Sequence, residues 1–465
     1  MNILMFSINP LFEDKVMGGA PKHLQAIAIH MGMLGHDVKI LSTRADGSSE
    51  AFTWRENVEV LPILRFKQPF PQPYAVPAYD LAAAIQDMGH YLAWADRFYM
   101  HDGEFLFPYV YQDLPTAISL RDNVYPETLI GGFLFNADRL ILISDYSKNY
   151  FLHTVGRFFP ELIERITVIH NGLDWQRFKP TPPKEILNII PVDPQRPILL
   201  HPHRPEESKG IMQTIAVVDL LIHQYGFDNL LALAPKWLDM QTTPDLKAFY
   251  DSIEHEIRQR ELQDNFFFHD WIPQGLMPQY YSMGAVTLSP GYFPESFGNA
   301  VYESLGCGTP SIAARISTHR ELLPDHLLDK VDYGDVEEMA AVVARIINNG
   351  ERTQKETLDY LYEHYSIDRQ LNAYADAILN AQVRPPMQYV HLMLDTSTLY
   401  ALAPWCYVSE RGIYHDYHAN YITDDALSAL VEQHSDGFSI EQAAVFGLDQ
   451  TQIETLYRDG YLVPL

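Results

Sequence analysis

Cysteine is nearly absent: Cys307 and Cys406 are the only two in 465 residues. Two cysteines cannot build a disulfide framework, and these lack the paired spacing of a zinc site, which fits a reducing cytosol. Positive charge is also scarce. Lys and Arg total 33 against 60 Asp and Glu, a formal net charge of −27. The averaged field therefore repels nucleic acid and anionic lipid alike, although a local basic pocket remains compatible with it. Long hydrophobic runs are missing as well. The opening "MNILMFSINPLF" is apolar, but it has no basic lead-in, meets Glu13 and Asp14 early and is too short to span a bilayer. It reads as a first strand, and the expected location is cytoplasmic. Low-complexity tracts and repeats of 20 to 50 residues are not seen.

What is present is an ordinary globular composition, 47% hydrophobic and 20% charged. The length exceeds what one core organises and suggests two or three domains. "NILMFS", a helical "GGAPKHLQAIAIHMGMLGHD" and "VKILST" make a strand, helix, strand unit. Further apolar runs at "RFYMH", "TAISL" and "RLILIS" continue an α/β alternation, which implies a mostly parallel sheet with helices on both faces. Prolines at 180, 182, 183, 191 and 194 then forbid a continuous helix or central strand, so this stretch reads as an interdomain linker. The alternation restarts with "PILLHPH", "LLALAP", "NFFFHDWI", "AVTLSP" and "PSIAA". We assign an N-terminal Rossmann-like domain to 1–180, a second to 181–382 with its last helix returning toward the first, and an accessory module to 383–465. In that module, "SIEQ" and "DQTQ" are capping-box patterns that announce short helices before a closing strand, a winged-helix-like outline.

The stretch "PGYFPESFGNAVYESLGCGTPSIA", 290–313, carries most of the chemistry. Ligands of parallel α/β domains sit beyond the carboxyl ends of strands, where loops feed helix N-termini. Here "AVTLSP" is the strand and "FGNAVYESLGCG" the helix, so the free N–H groups near Phe297, Gly298, Asn299 and Ala300 attract a phosphate. Gly298 lets the backbone approach closely. Glu295 in the loop would reach the part of a ligand beyond the phosphates, and Glu303, two turns on, would accept from sugar hydroxyls on the nucleoside side. A nucleotide sugar presents both. In "HPHRPEESKG", Arg204 and Lys209 can clamp a diphosphate, Arg in bidentate fashion and Lys as a point charge, and stabilise the leaving group. Gly18 and Gly19 open a helix after the first strand, where backbone N–H groups would line the opposite wall. Each feature has a plainer reading: surface glutamates on an amphipathic helix, a solvated basic loop, a tight glycine turn. His101, His170 and His203 read more readily as structural than catalytic. Trp271 fits a base-stacking face or a rim position equally.

Together these residues resemble a retaining glycosyltransferase of family 4 with the two-domain GT-B fold, over roughly 1–382. The resemblance is carried by "GGAPKHLQAIAIHMGMLGHDV", "ISDYSKNYF", "VIHNGLDWQRFKP", "HRPEESKG" and "PESFGNAVYESLGCGTPSIA". It implies two Rossmann-like domains facing across a cleft and a hexosyltransferase-type activity. Glu295 would contact the transferred sugar and stabilise an oxocarbenium-like transition state, Glu303 would hold the ribose, and Arg204 with Lys209 would bind the diphosphate. It further implies metal-independent catalysis, with no cofactor beyond the nucleotide-sugar co-substrate.

One departure matters. Many relatives have His before Asp after the strand that here reads "PTAISLRDN", and this chain has Arg121 with Asp122. Either Arg121 stabilises phosphate or acceptor charge, or acceptor activation comes from Asp122, His101 or Asp102. Alternatives on the same architecture are an epimerase or phosphorylase. A binding protein that has lost transfer and docks a partner through its terminal module is a third. That module, 383–465, holds three Arg, no Lys and eleven acidic residues, which argues against DNA. It loosely resembles peptide-recognition domains attached to peptide-modifying enzymes. Peptide, protein, self-association and purely structural roles stay open, as does the acceptor: a sugar, small molecule or peptide.

Overall fold

An eight-stranded sheet organises the N-terminal part of the chain. Its strands are β1 (Asn2–Pro10), β2 (Asp37–Thr43), β3 (Phe52–Arg55), β4 (Val58–Leu64), β5 (Arg97–His101), β6 (Thr116–Leu120), β7 (Arg139–Leu142) and β8 (Ile166–Val168). The computed structural model describes residues 1–14, 16, 18–44, 49–65, 77–102, 108–236 and 244–465. The order is β3-β4-β2-β1-β5-β6-β7-β8. All pairings are parallel except β3 with β4, an antiparallel edge hairpin that the apolar alternation does not announce. β1 is central and buried along most of its length, which explains its unbroken apolar run. One face is packed by Phe6, Phe98, Leu140 and Phe151 and the other by Ile3, Leu24, Ile27 and Tyr374. Tyr374 and Ile378 come from the helix Ile367–Leu379, which thus packs on the first core.

The second sheet contains β9 (Ile198–Leu200), β10 (Leu231–Pro235), β11 (Phe266–His269), β12 (Val286–Ser289), β13 (Ser311–Ala314) and β14 (Asp329–Val331). Its order is β11-β10-β9-β12-β13-β14, and every pairing is parallel. Its core includes Leu199, Ile215, Ala232, Ala234, Leu288, Ile312 and Val343. Two compact units result: residues 1–170 with 368–415 and 421–465, and residues 171–367 with 416–420. The division at 170 falls before the proline-rich stretch and not within it, because Leu173 exchanges backbone hydrogen bonds with Tyr365 and Ile367.

The terminal module has its own core of Tyr400, Ile413, Leu427, Leu430, Phe438, Ile453 and Leu462. Strands β15 (Tyr400–Leu402), β16 (Cys406–Ser409), β17 (Gly412–His415) and β18 (Asn420–Ile422) precede three helices, Asp425–Gln433, Ile440–Val445 and Gln450–Arg458. β19 (Leu462–Pro464) closes the module by pairing antiparallel with β15. Ser439 with Gln442 and Asp449 with Gln452 form complete capping boxes, as their spacing requires. Ahead of β15, within the stretch 383–465, Arg384 pairs with the buried Asp138 at 2.7 Å and Tyr389 stacks on Phe158, so the segment that leads into the module's core is fastened to the first unit. Cys307 and Cys406 are both buried thiols.

Candidate functional site

Among the parallel strands of each sheet the order reverses once, between β1 and β5 and between β9 and β12. Such switch points are where loops diverge and ligands bind. β9 leads into the loop carrying His203, Arg204 and Lys209, and β12 leads into the loop carrying Glu295.

These two loops touch backbone to backbone. Gly210 has φ +82°, and a Cβ there would lie 2.6 Å from the Gly291 nitrogen; one on Gly291 would lie 2.2 Å from the Ser208 carbonyl oxygen. Only glycine permits this approach. Phe293 N–H donates to the Ser208 carbonyl at 3.0 Å. The consequence is chemical: Lys209 Nζ donates to Glu295 Oε1 at 2.6 Å and lies 3.7 Å from the centroid of the Phe293 ring. Burial pushes the Glu295 carboxyl up, but the charge and hydrogen bond of Lys209 overcome this and leave it below its ordinary value.

Beyond Glu295, Gly298 takes φ +80° and begins the helix Asn299–Gly306. A Cβ on Gly298 would lie 2.4 Å from His319 Cε1, so the imidazole sits directly against the helix start. His319, His203, Lys209 and Glu295 line a cavity of about 10 Å³. The Nε2 atoms of His319 and His203 are buried without a hydrogen-bond partner. Burial lowers the pKa of His203 to about 3 and that of His319 to about 4, so both rings are neutral and present one donor or acceptor each to the cavity. Unpartnered polar atoms at a strand switch point, beside an ion pair and a helix N-terminus, offer hydrogen bonds to an anion at a cavity that is itself of water size.

The remaining candidates in this unit divide. Glu303 is buried and accepts from the Tyr281 hydroxyl at 3.1 Å. Arg204 is 56% exposed and faces Glu206 at 3.5 Å, while Lys209 is turned inward to Glu295. Asn299 accepts from Asn171 at 3.3 Å. The Phe297 ring is 2% exposed among Tyr302 and Tyr365, so only its backbone is placed for a ligand. Trp271 is half exposed after β11.

In the first unit, Gly18 (φ +100°) is the N-cap of the helix Gly19–Met33. His101 bonds through Nδ1 to the Tyr99 hydroxyl at 2.7 Å and through Nε2 to the Ala20 carbonyl at 2.9 Å. Both ring nitrogens are thereby used, Nδ1 within β5 and Nε2 on the start of that helix, and burial keeps the ring neutral with a pKa well below its ordinary value. Asp122 Oδ1 accepts from Val124 N–H, Tyr125 N–H and the Thr128 hydroxyl, which fastens the turn into the helix Pro126–Phe133. Asp102 has φ +61°. Burial and the nearby Asp122 raise its pKa, opposed by Arg121. Arg121 is buried and donates to the Tyr374 hydroxyl at 3.0 Å. Arg121, Asp102 and Asp122 thus form one charge cluster, whereas His101 is a structural neighbour.

Sequence reasoning missed His319 and Tyr281 as site residues. His319 follows β13, the strand next to β12, and the carboxyl-end position of its turn was the available signal. Tyr281 carries none, because its contact with Glu303 joins separate helices.

Two parallel-sheet α/β units with this connectivity define the GT-B fold. Residues 184–359 match the family described as glycosyl transferases group 1. Among curated proteins, the α-maltose-1-phosphate synthase of Mycolicibacterium smegmatis is 25% identical over 219 residues, 46% of this chain and 54% of that protein. Its Mycobacterium tuberculosis counterpart is 23% identical over 280 residues, 59% of this chain and 65% of that protein. The chain therefore spans between half and two-thirds of the length of these relatives. Among solved structures, a sucrose-phosphate synthase from Thermosynechococcus elongatus superposes with a TM-score of 0.63 at 16% identity, covering 81% of this chain and 97% of that one. An Anabaena HepE complex with UDP and glucose gives 0.62 at 19% identity, covering 81% and 98%. Among the described residues, no helix is long and apolar enough to cross a membrane.

Proposed function

We propose that the protein is a glycosyltransferase that moves a sugar from a nucleoside diphosphate sugar to an acceptor, with retention of anomeric configuration and without a metal ion. The observation that carries this is the Lys209–Glu295 pair at the mouth of the helix Asn299–Gly306. A diphosphate arriving at that N-terminus competes for the Lys209 ammonium, and the exposed Arg204 can swing toward it. Glu295, released from Lys209, then faces the sugar and stabilises positive charge developing at its anomeric carbon. Glu303, already accepting from Tyr281, has the chemistry to take a ribose hydroxyl. The match of 184–359 to glycosyl transferases group 1 supports the donor side, and the UDP and glucose of the HepE complex make a UDP-sugar the first donor to try.

In the first unit, the cluster of Arg121, Asp102 and Asp122 is the proposed acceptor side, with Arg121 meeting phosphate or acceptor charge. The acidic terminal module is proposed to engage a peptide, a protein or a second copy. Thermal unfolding with UDP, GDP, ADP and dTDP and then their sugar conjugates tests the reading. A ligand at about 100 times its dissociation constant adds roughly 2.7 kcal/mol. A shift with one nucleotide, followed by acceptor-dependent product formation, is the expected result. Conversion of the donor without acceptor, or strict dependence on phosphate, replaces transfer by epimerisation or phosphorolysis. No shift with any nucleotide rejects the diphosphate site.

A further inference from the structure

The turn Ser317–Arg320, which holds His319 against Gly298, is itself under backbone strain. Ser317 has φ +39°, a left-handed value that a residue with a Cβ adopts only at a cost. Ser317, Thr318 and His319 are all buried, so water cannot satisfy this turn. What holds it comes from far along the chain. The turn 416–420, between β17 and β18 of the terminal module, belongs by its contacts to the second unit. Asp416 is 1% exposed there. Its Oδ1 accepts from the Ser317 N–H at 3.1 Å and from Arg320 at 2.8 Å, and its Oδ2 accepts from Arg320 at 2.7 Å. One carboxylate thus pins both ends of the four-residue turn, the strained end by its N–H and the far end by a bidentate guanidinium pair.

We propose that Asp416 is a positioning residue for the donor site. It holds Ser317 at positive φ and so fixes the His319 imidazole against Gly298 and beside Glu295, which makes the geometry of that site depend on the turn 416–420. The dependence rests on the donor-site reading for its consequence in binding, but not for its consequence at His319. Without the carboxylate, Ser317 relaxes toward negative φ, the turn rotates and the imidazole leaves the helix start. The half-buried Arg320 guanidinium loses this carboxylate in the same step.

Asp416→Asn is nearly isosteric, loses the charge that faces Arg320, and weakens the hold on the Ser317 N–H, because a neutral amide oxygen accepts less strongly than a carboxylate. Ser317→Gly in the same chain removes the strain, because glycine takes φ +39° freely. The 465-residue chain and these variants are compared by two readouts. The first is the His319 Cε1–H NMR signal, assigned by its disappearance in His319→Gln. The second is calorimetric affinity for the nucleoside diphosphate that stabilises the wild type most, together with its sugar conjugate. Asp416→Asn is expected to move the His319 signal and weaken binding roughly tenfold, and Ser317→Gly on that background to recover much of both. An unmoved His319 signal in Asp416→Asn overturns the proposal, as does a loss of melting temperature with unchanged affinity in a protein that binds nucleotide. Should the wild type bind no nucleotide, the transferase reading fails while the His319 signal still decides whether Asp416 positions the turn.

Discussion

Lys209 Nζ lies 2.6 Å from Glu295 Oε1, joining two loops that leave neighbouring strands of the second sheet. The pair is only partly exposed, 16% and 23% for the two side chains. The pair keeps the carboxylate ionised, and in the proposed transfer the ammonium would exchange this carboxylate partner for a phosphate.

Removing each partner should have a different effect. Lys209→Ala is expected to weaken nucleoside diphosphate binding by roughly tenfold to a hundredfold, the range of a charge-assisted hydrogen bond. Glu295→Gln should leave the nucleotide affinity nearly unchanged and depress product formation by at least about a hundredfold, as loss of an electrostatic stabiliser does. Calorimetry and a product assay on the same preparations separate the two. Near-normal rates in both variants would remove these residues from the site.

Gly298→Ala combines a disallowed backbone with a steric conflict. The position has φ +80°, and the new Cβ would meet His319 Cε1 at 2.4 Å. A loss of stability on the order of 1–3 kcal/mol is expected, with weaker nucleotide binding. Urea unfolding measures the first and calorimetry the second. Gly275→Ala, where no atom lies within 4 Å, is the matched control.

Acid should unfold this protein through its histidines. Burial holds His23, His101 and His201 well below the ordinary 6.5, His203 at about 3 and His319 at about 4. A depressed folded pKa contributes stability that is fully present above 6.5 and is lost as the pH falls, because the unfolded chain binds protons that the folded one refuses. Each such histidine contributes a slope of about 1.4 kcal/mol per pH unit within its window. Urea midpoints should fall steadily from neutral pH down toward the folded value of His319, about 4, and His319→Gln should flatten the slope. A constant midpoint would mean that these rings are hydrated.

Glu303 predicts a preference among nucleotides. If it accepts ribose hydroxyls, the wild type should bind a ribonucleoside diphosphate roughly tenfold more tightly than its 2′,3′-dideoxy analogue. Glu303→Gln should lose most of that ratio, and Tyr281→Phe part of it, since the 3.1 Å hydrogen bond orients the carboxylate. Competition titrations read the ratio directly.

The alternation of apolar runs and helical spacing was legible because buried parallel strands must be apolar on both faces. The runs at "RFYMH", "TAISL" and "RLILIS" became β5, β6 and β7, and the capping-box spacings became the last two helices. The β3–β4 hairpin was not legible, since a short edge hairpin interrupts the alternation without a turn signature. Phe297 was expected to offer its backbone N–H, and only packing decided that its ring is a core side chain. His101 lost its place as a free base for a similar reason, because both its nitrogens are spent on Tyr99 and Ala20.

Local rules of periodicity, φ preference and chain reach were enough to read out the two α/β units, the spacing of Glu295 and Glu303, and the glycines that let backbones approach. Packing had to supply the rest: that Lys209 pairs with Glu295 while Arg204 turns toward Glu206, that His319 closes against Gly298, and that Asp416 reaches Ser317 and Arg320. Each of these joins residues on different loops or strands, and only the assembly of whole sheets sets such distances.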